Sequence, residues 1–274
     1  MIEPTKKNYP NVVQSFGITG IVILGMLLFA PVNLMLNKLV EKEASMLIYY
    51  LLSIGIPFWI VYLIRKKKTG VDSFNMTIEN NRIIPFVIVG TIALLFGIIT
   101  PIGDLIPITE SFKKILMDSG SQTGIIVFFL MVIAAPILEE LIFRGVILDG
   151  LLNKYSPTKS ILISSLLFGL VHLNPWQFVT GFIIGIFSGW VYYRTSRLSF
   201  SIIIHATANF CGFLMRYLID VDSYMNYTLL QKYGGWTNLL LAILASVLIV
   251  VVCIYYLRKE FERGKAEMAA HNNV

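Results

Sequence analysis

Charge is what this chain has least of. Asp, Glu, Lys and Arg make up 14% of its 274 residues while apolar types make up 56%. The mean hydropathy of +0.75 is far above what a soluble domain carries without aggregating. That scarcity excludes a soluble globular protein and points to an integral membrane one. Cysteine is almost missing too. Cys211 and Cys253 both lie in apolar stretches with no CxxC spacing, which excludes a disulfide framework and a thiolate metal site and leaves them as small core residues. There is no HExxH, no internal repeat, no low-complexity tract and no soluble domain. A cleavable signal peptide and a lipidation box are also lacking, so the first apolar stretch is expected to remain as an anchor. A net charge of +6 and a pI near 9.2 would suggest a nucleic-acid partner in a soluble protein. Here the basic residues cluster in short loops beside apolar spans, so the charge sets topology and no nucleic acid is implied.

What the chain does have is long hydrophobic runs. A bilayer-crossing helix needs about 20 mostly apolar residues, and segments 13–36, 45–64, 83–103, 123–148, 158–174, 176–193, 198–219 and 236–257 qualify. The expected fold is therefore all-α and polytopic, with about eight transmembrane helices. Lys and Arg concentrate in alternate loops: Lys6 and Lys7, then Arg65 to Lys68 with Arg82, then Lys154 and Lys159, then Arg194 and Arg197, then the tail from Arg258. By the positive-inside rule both termini are expected in the cytoplasm. The loop beginning at Asp104 leaves room for an interfacial helix around 107–118. Gly181, Gly185 and Gly189 form a small-xxx-small stripe, read as helix packing. The sequence divides into helices 1–3 with their loops (1–122), a motif-bearing core of helices 4–7 (123–219), and a last helix with a basic tail (220–274).

Ionisable groups inside such spans cost at least a few kcal/mol each and are functional by default. They are few. "PILEELIFRG" sets Glu139, Glu140 and Arg144 in an apolar run, "FGLVH" carries His172, and "HATAN" carries His205 and Asn209. Arg216 lies close enough to an outer end to snorkel, and the remaining histidine, His271, is in the polar tail. Each cluster has four-residue spacing, which puts both members on one helical face. At 1.5 Å per residue, Glu139, His172 and His205 lie roughly 14, 21 and 10 Å from the cytoplasmic helix ends. Those depths bracket the middle of a core of about 30 Å, so the three are expected to converge. Pro136, one turn before Glu139, is expected to kink its helix and open space beside the acids. Amide hydrolysis needs an activated water, a proton donor for the leaving amine and donors for the oxyanion, and this constellation supplies each type.

These three clusters resemble the EExxxR, FxxxH and HxxxN motifs of the CAAX-protease and bacteriocin-processing family (CPBP, also called Abi) of intramembrane proteases, over roughly residues 123–219. The resemblance implies an intramembrane endopeptidase acting on a membrane-associated protein or peptide, lipidated and CAAX-like in some members. By analogy, Glu139 is the general base on a water it shares with His172, His205 and Asn209 form the oxyanion hole, and Glu140 with Arg144 orients the site. Phe168 reads as packing. The family is often described as metalloproteases, and Glu139, His172 and His205 are also ligand types that hold a catalytic zinc. The residues leave a glutamate mechanism without cofactor and a zinc mechanism both open. The expected partners are membrane lipids and the peptide substrate, and the expected location is a bacterial cytoplasmic membrane. Two other classes compete: a non-catalytic peptide-binding immunity or scaffold protein, and an ion-coupled transporter, whose paired repeats are not seen in the sequence.

Overall fold

The computed structural model describes residues 8–110, 113–114, 122–220 and 226–271. Helices form at each of the eight expected places: α1 (Val12–Leu36), α2 (Lys42–Thr69), α3 (Ile83–Asp104), α4 (Ile125–Leu152), α5 (Pro157–Leu170), α6 (Pro175–Thr195), α7 (Leu198–Leu218) and α8 (Trp236–His271). No strand occurs among the described residues. Six of the eight are long and apolar enough to cross a membrane. The two exceptions are α5, which has only 14 residues, and α6, whose run is diluted by polar residues such as Gln177, Thr180, Ser188 and Arg194. By length and composition alone six of the eight expected spans qualify, and each of the eight segments is helical. Part of the stretch 107–118, where an interfacial helix was expected, lies outside the described residues.

Local chemistry explains the helix ends. Asn11 and Gln14 form a reciprocal capping box at the start of α1, satisfying two backbone donors that the first turn leaves open. Pro157 and Pro175 open α5 and α6, where a missing N–H costs nothing. Gly70 ends α2 at φ 75° and donates to the Lys66 carbonyl, the left-handed stop that glycine adopts without strain. Ser196 performs the same turn after α6 at φ 53°, with a Cβ that makes the conformation unfavourable.

Three helices are not uniform. Wider turns with i→i+5 bonding interrupt α2 at Leu51–Gly55, α3 at Leu95–Ile99, and α4 at Phe129–Ala134 and Leu141–Leu148. Such turns often mark functional sites. Pro136 sits just after the first wide turn of α4, at the start of the α-helical segment Ala135–Glu140, so its missing donor is absorbed where the hydrogen-bond pattern is already changing.

The second half of α4 is the centre of the bundle: Ile142, Phe143, Arg144, Ile147, Leu148 and Leu151 are all 0% exposed. It packs against α2, α5 and α7. Around it, α1 leans on α2 and α5, while α3 packs against α7 and α8. α1 and α8 present leucines such as Leu24, Leu28, Leu244 and Leu248 outward, as helices facing lipid do. Cys253 is buried, but Cys211 is only partly so and lines an apolar groove between α3, α4 and α7, which corrects its reading as a core residue.

The glycine stripe of α6 does pack. A Cβ on Gly181 would meet Gly169 of α5, one on Gly185 would press on Ser165, and one on Gly189 would touch Ile161. Close backbone approach of this kind replaces the hydrophobic driving force that lipid removes. We expect Gly185→Leu to lower stability by about 1–3 kcal/mol through overpacking, read as a reduced melting temperature in detergent. Ser196→Gly should raise stability by about 1 kcal/mol by removing the left-handed penalty, measured in the same assay.

Candidate active site

Glu139 and Glu140 are neighbours in the chain, so their side chains leave α4 about 100° apart. That angle separates their fates. Glu140 points into the bundle and is 0% exposed, and its Oε1 accepts from Arg144 Nη1 at 2.9 Å and lies 3.1 Å from His205 Nδ1. Glu139 points toward α2 and retains 14% side-chain exposure. Its Oε1 accepts from the Tyr50 hydroxyl at 2.8 Å. Its Oε2 has no protein hydrogen-bond partner and lies 3.9 Å from His205 Nε2.

Arg144 is held by more than its carboxylate. Its guanidinium stacks over the Phe168 ring, 4.4 Å from the centroid, a cation–π contact that gains strength without water. Phe168 in turn meets His172 and His205 edge-on, with ring centroids at 5.2 and 5.3 Å. The packing role expected for Phe168 holds, and it is one plate against which three polar side chains are set. The short loop after α5 places His172. Its Nδ1 is 2.8 Å from the Phe168 carbonyl, an acceptor only, so Nδ1 carries the proton and Nε2 is left free in the neutral ring. Glu139 and His172 line one cavity of about 80 Å³, walled also by Val22 and Met26 of α1 and by Ile54 of α2.

On α7, His205 and Asn209 share a face as their spacing implies. Asn209 Nδ2 donates to the Met131 carbonyl of α4 at 2.8 Å, using one of its two N–H groups. Arg216 does not simply reach outward: its Nη1 is 3.4 Å from the Met131 sulfur. The structure thus gathers Glu139, Glu140, Arg144, His172 and His205 around Phe168, with Asn209 one turn along α7. Because Glu140 accepts a hydrogen bond from Nδ1–H of His205, the Nε2 that faces Glu139 becomes a donor only when the ring is doubly protonated.

Among the described residues, no three His, Cys, Asp or Glu side chains are grouped so as to hold a metal ion. His205 directs Nδ1 to Glu140 and His172 directs Nδ1 to a backbone carbonyl, which leaves Nε2 of both rings open to water or a ligand.

Sequence reasoning missed Tyr50. It stands in "IYYLL" beside Tyr49 in an apolar run, and only its polar hydroxyl within a span could have flagged it. Tyr49 takes the other direction and donates to the Met26 carbonyl at 3.1 Å.

Comparison with known proteins bears on the same helices. Residues 121–211 match the family described as type II CAAX prenyl endopeptidase Rce1-like. The chain is 34% identical over 85 residues to the UPF0177 protein YxdF of Lactococcus lactis, covering 31% of this chain and 46% of that protein. It is 36% identical over 77 residues to YdiL of Bacillus subtilis, named as a candidate membrane peptidase, covering 28% of this chain and 32% of that protein. The matched stretches thus span about half and about a third of these curated relatives. No solved structure matches the chain. All three motifs of this integral membrane protein fall within residues 121–211, the segment that is similar to the Rce1-like family.

Proposed function

We propose that the protein is an intramembrane protease in which Glu139 is the general base. One observation carries this reading: Glu139 keeps one carboxylate oxygen without a protein partner, facing His205 and beside a cavity shared with His172. An ionised group so placed inside a membrane is expensive unless chemistry uses it. In the proposed reaction, a water held between Glu139 Oε2 and His172 Nε2 gives its proton to Glu139 and attacks the scissile carbonyl carbon. The oxyanion that forms is stabilised by the second N–H of Asn209 and by His205. With both glutamates ionised, the cluster with Arg144 carries one net negative charge. A single proton on His205 Nε2 brings the cluster to neutrality and turns that nitrogen into the required donor. Glu139 then returns its proton to the departing amine as the C–N bond breaks. Glu140 and Arg144 do not react in this scheme; they fix His205 and the helices around it.

The substrate class we propose is a membrane-anchored peptide or protein, entering from the lipid or its interface. The Rce1-like match supports a lipidated, CAAX-like end as one form. Both curated relatives come from bacteria, which supports a bacterial cytoplasmic membrane.

The test is cleavage of quenched fluorescent peptides, with and without a prenyl or acyl anchor, by the purified protein. Glu139→Gln should lower the rate by at least about a hundredfold with the melting temperature unchanged; full activity in that variant would sink the proposal. A strong chelator should leave the rate unchanged, whereas loss on chelation and recovery with zinc would overturn the metal-free scheme. Arg144→Met should behave differently from Glu139→Gln. It strands Glu140 without its cation and should cost about 3–5 kcal/mol of stability, visible as a large drop in melting temperature before any activity is measured.

A further inference from the structure

The carboxylate proposed as the base is held from outside the family segment. Tyr50 belongs to α2, yet its hydroxyl donates to Glu139 Oε1 at 2.8 Å. We infer that Tyr50 is a positioning residue of the site, pinning Oε1 so that Oε2 stays turned toward His205 and the cavity. This rests on the reading of Glu139 as the base.

Three features make the contact more than a chance meeting of polar groups. First, a glutamate side chain has free torsions up to its carboxylate, and Glu139 has one protein hydrogen-bond donor, the Tyr50 hydroxyl on Oε1, while Oε2 has none. A carboxylate in a low-dielectric site turns to the strongest donor within reach. The phenol hydroxyl is that donor for Glu139, and it fixes which of the two oxygens is spent and which is left toward the cavity. Second, the placement of Tyr50 is built into the backbone. The wide turn Leu51–Gly55 begins directly after it, and Ser53 Oγ donates to the Tyr50 carbonyl at 3.4 Å. Third, Tyr49 shows what the same residue type does one position away. Its hydroxyl ties α2 to α1 through the Met26 carbonyl, a bond with no ionisable partner.

A tyrosine that merely satisfied a buried acid would also make the Tyr50 contact, so the test separates position from stability. The full-length protein in lipid nanodiscs is assayed as wild type, Tyr50→Phe, Tyr49→Phe and Glu139→Gln with an acyl-anchored quenched peptide. Phenylalanine keeps the ring and its packing. For Tyr50→Phe, kcat should fall on the order of ten- to a hundredfold, the scale of one hydrogen bond to a charged group. KM should stay within about twofold, and the melting temperature should not move. Tyr49→Phe should keep the wild-type kcat. Infrared difference spectra give a readout that needs no cleavage: the carboxylate band that vanishes in Glu139→Gln should shift in Tyr50→Phe and stay in place in Tyr49→Phe. An unshifted band or a wild-type kcat in Tyr50→Phe would overturn the inference. So would a joint loss of kcat, KM and melting temperature, which is the pattern of a structural bond. If Glu139→Gln is inactive while Tyr50→Phe is not, only this inference fails. If Glu139→Gln keeps its activity, the base assignment falls and takes the role of Tyr50 with it.

Discussion

A guanidinium with no exposure to water has to be neutralised by whatever the bundle can bring to it. Arg144 meets that constraint with Glu140 one turn back on its own helix and with the face of Phe168 from α5. His205 of α7 closes on the same glutamate oxygen. Three helices therefore meet at one charge. The turn that follows α5 carries His172 back against Phe168, and the face of α7 that presents His205 continues to Asn209. Satisfying Arg144 sets the azimuth of both helices, and the site inherits its geometry from that. Buried ion pairs often add little net stability; what this one supplies is a fixed arrangement.

The two adjacent glutamates divide the work by direction. Helical geometry turns consecutive side chains to different neighbours, so Glu140 faces cations and Glu139 faces a phenol and a cavity. Identical chemistry is thus split into a committed group and a free one, which is the condition for one carboxylate to move protons while the next holds structure.

Much of this was legible before any coordinates. Four-residue spacing on an apolar helix is a geometric statement, and Glu140 with Arg144, Phe168 with His172, and His205 with Asn209 occupy single faces as that spacing requires. Eight helical segments are visible because lipid-facing runs need no periodic interpretation, and six of them are long and apolar enough to cross a membrane. Three things were not legible. The wide turns in α2, α3 and α4 leave no composition signal, since a change of hydrogen-bond partner alters no residue type. The tautomer of His205 is set by Glu140, a contact 65 residues away in the chain, so its donor role needs a second proton that spacing alone does not announce. Tyr50 differs from Tyr49 only in which way it points, and direction is decided by α1 and α4, not by its neighbours in sequence.

The wide turn at Leu141–Leu148 carries a consequence for lineage. A helix that spends an additional residue per turn is, in genetic terms, a helix with an insertion absorbed rather than looped out. Deleting one residue between Leu141 and Leu148 would leave a helix that still reads as apolar and continuous. Yet the wide turn would tighten, and the place facing the Phe74 ring, which Gly145 now leaves open for want of a Cβ, would pass to a residue that carries one.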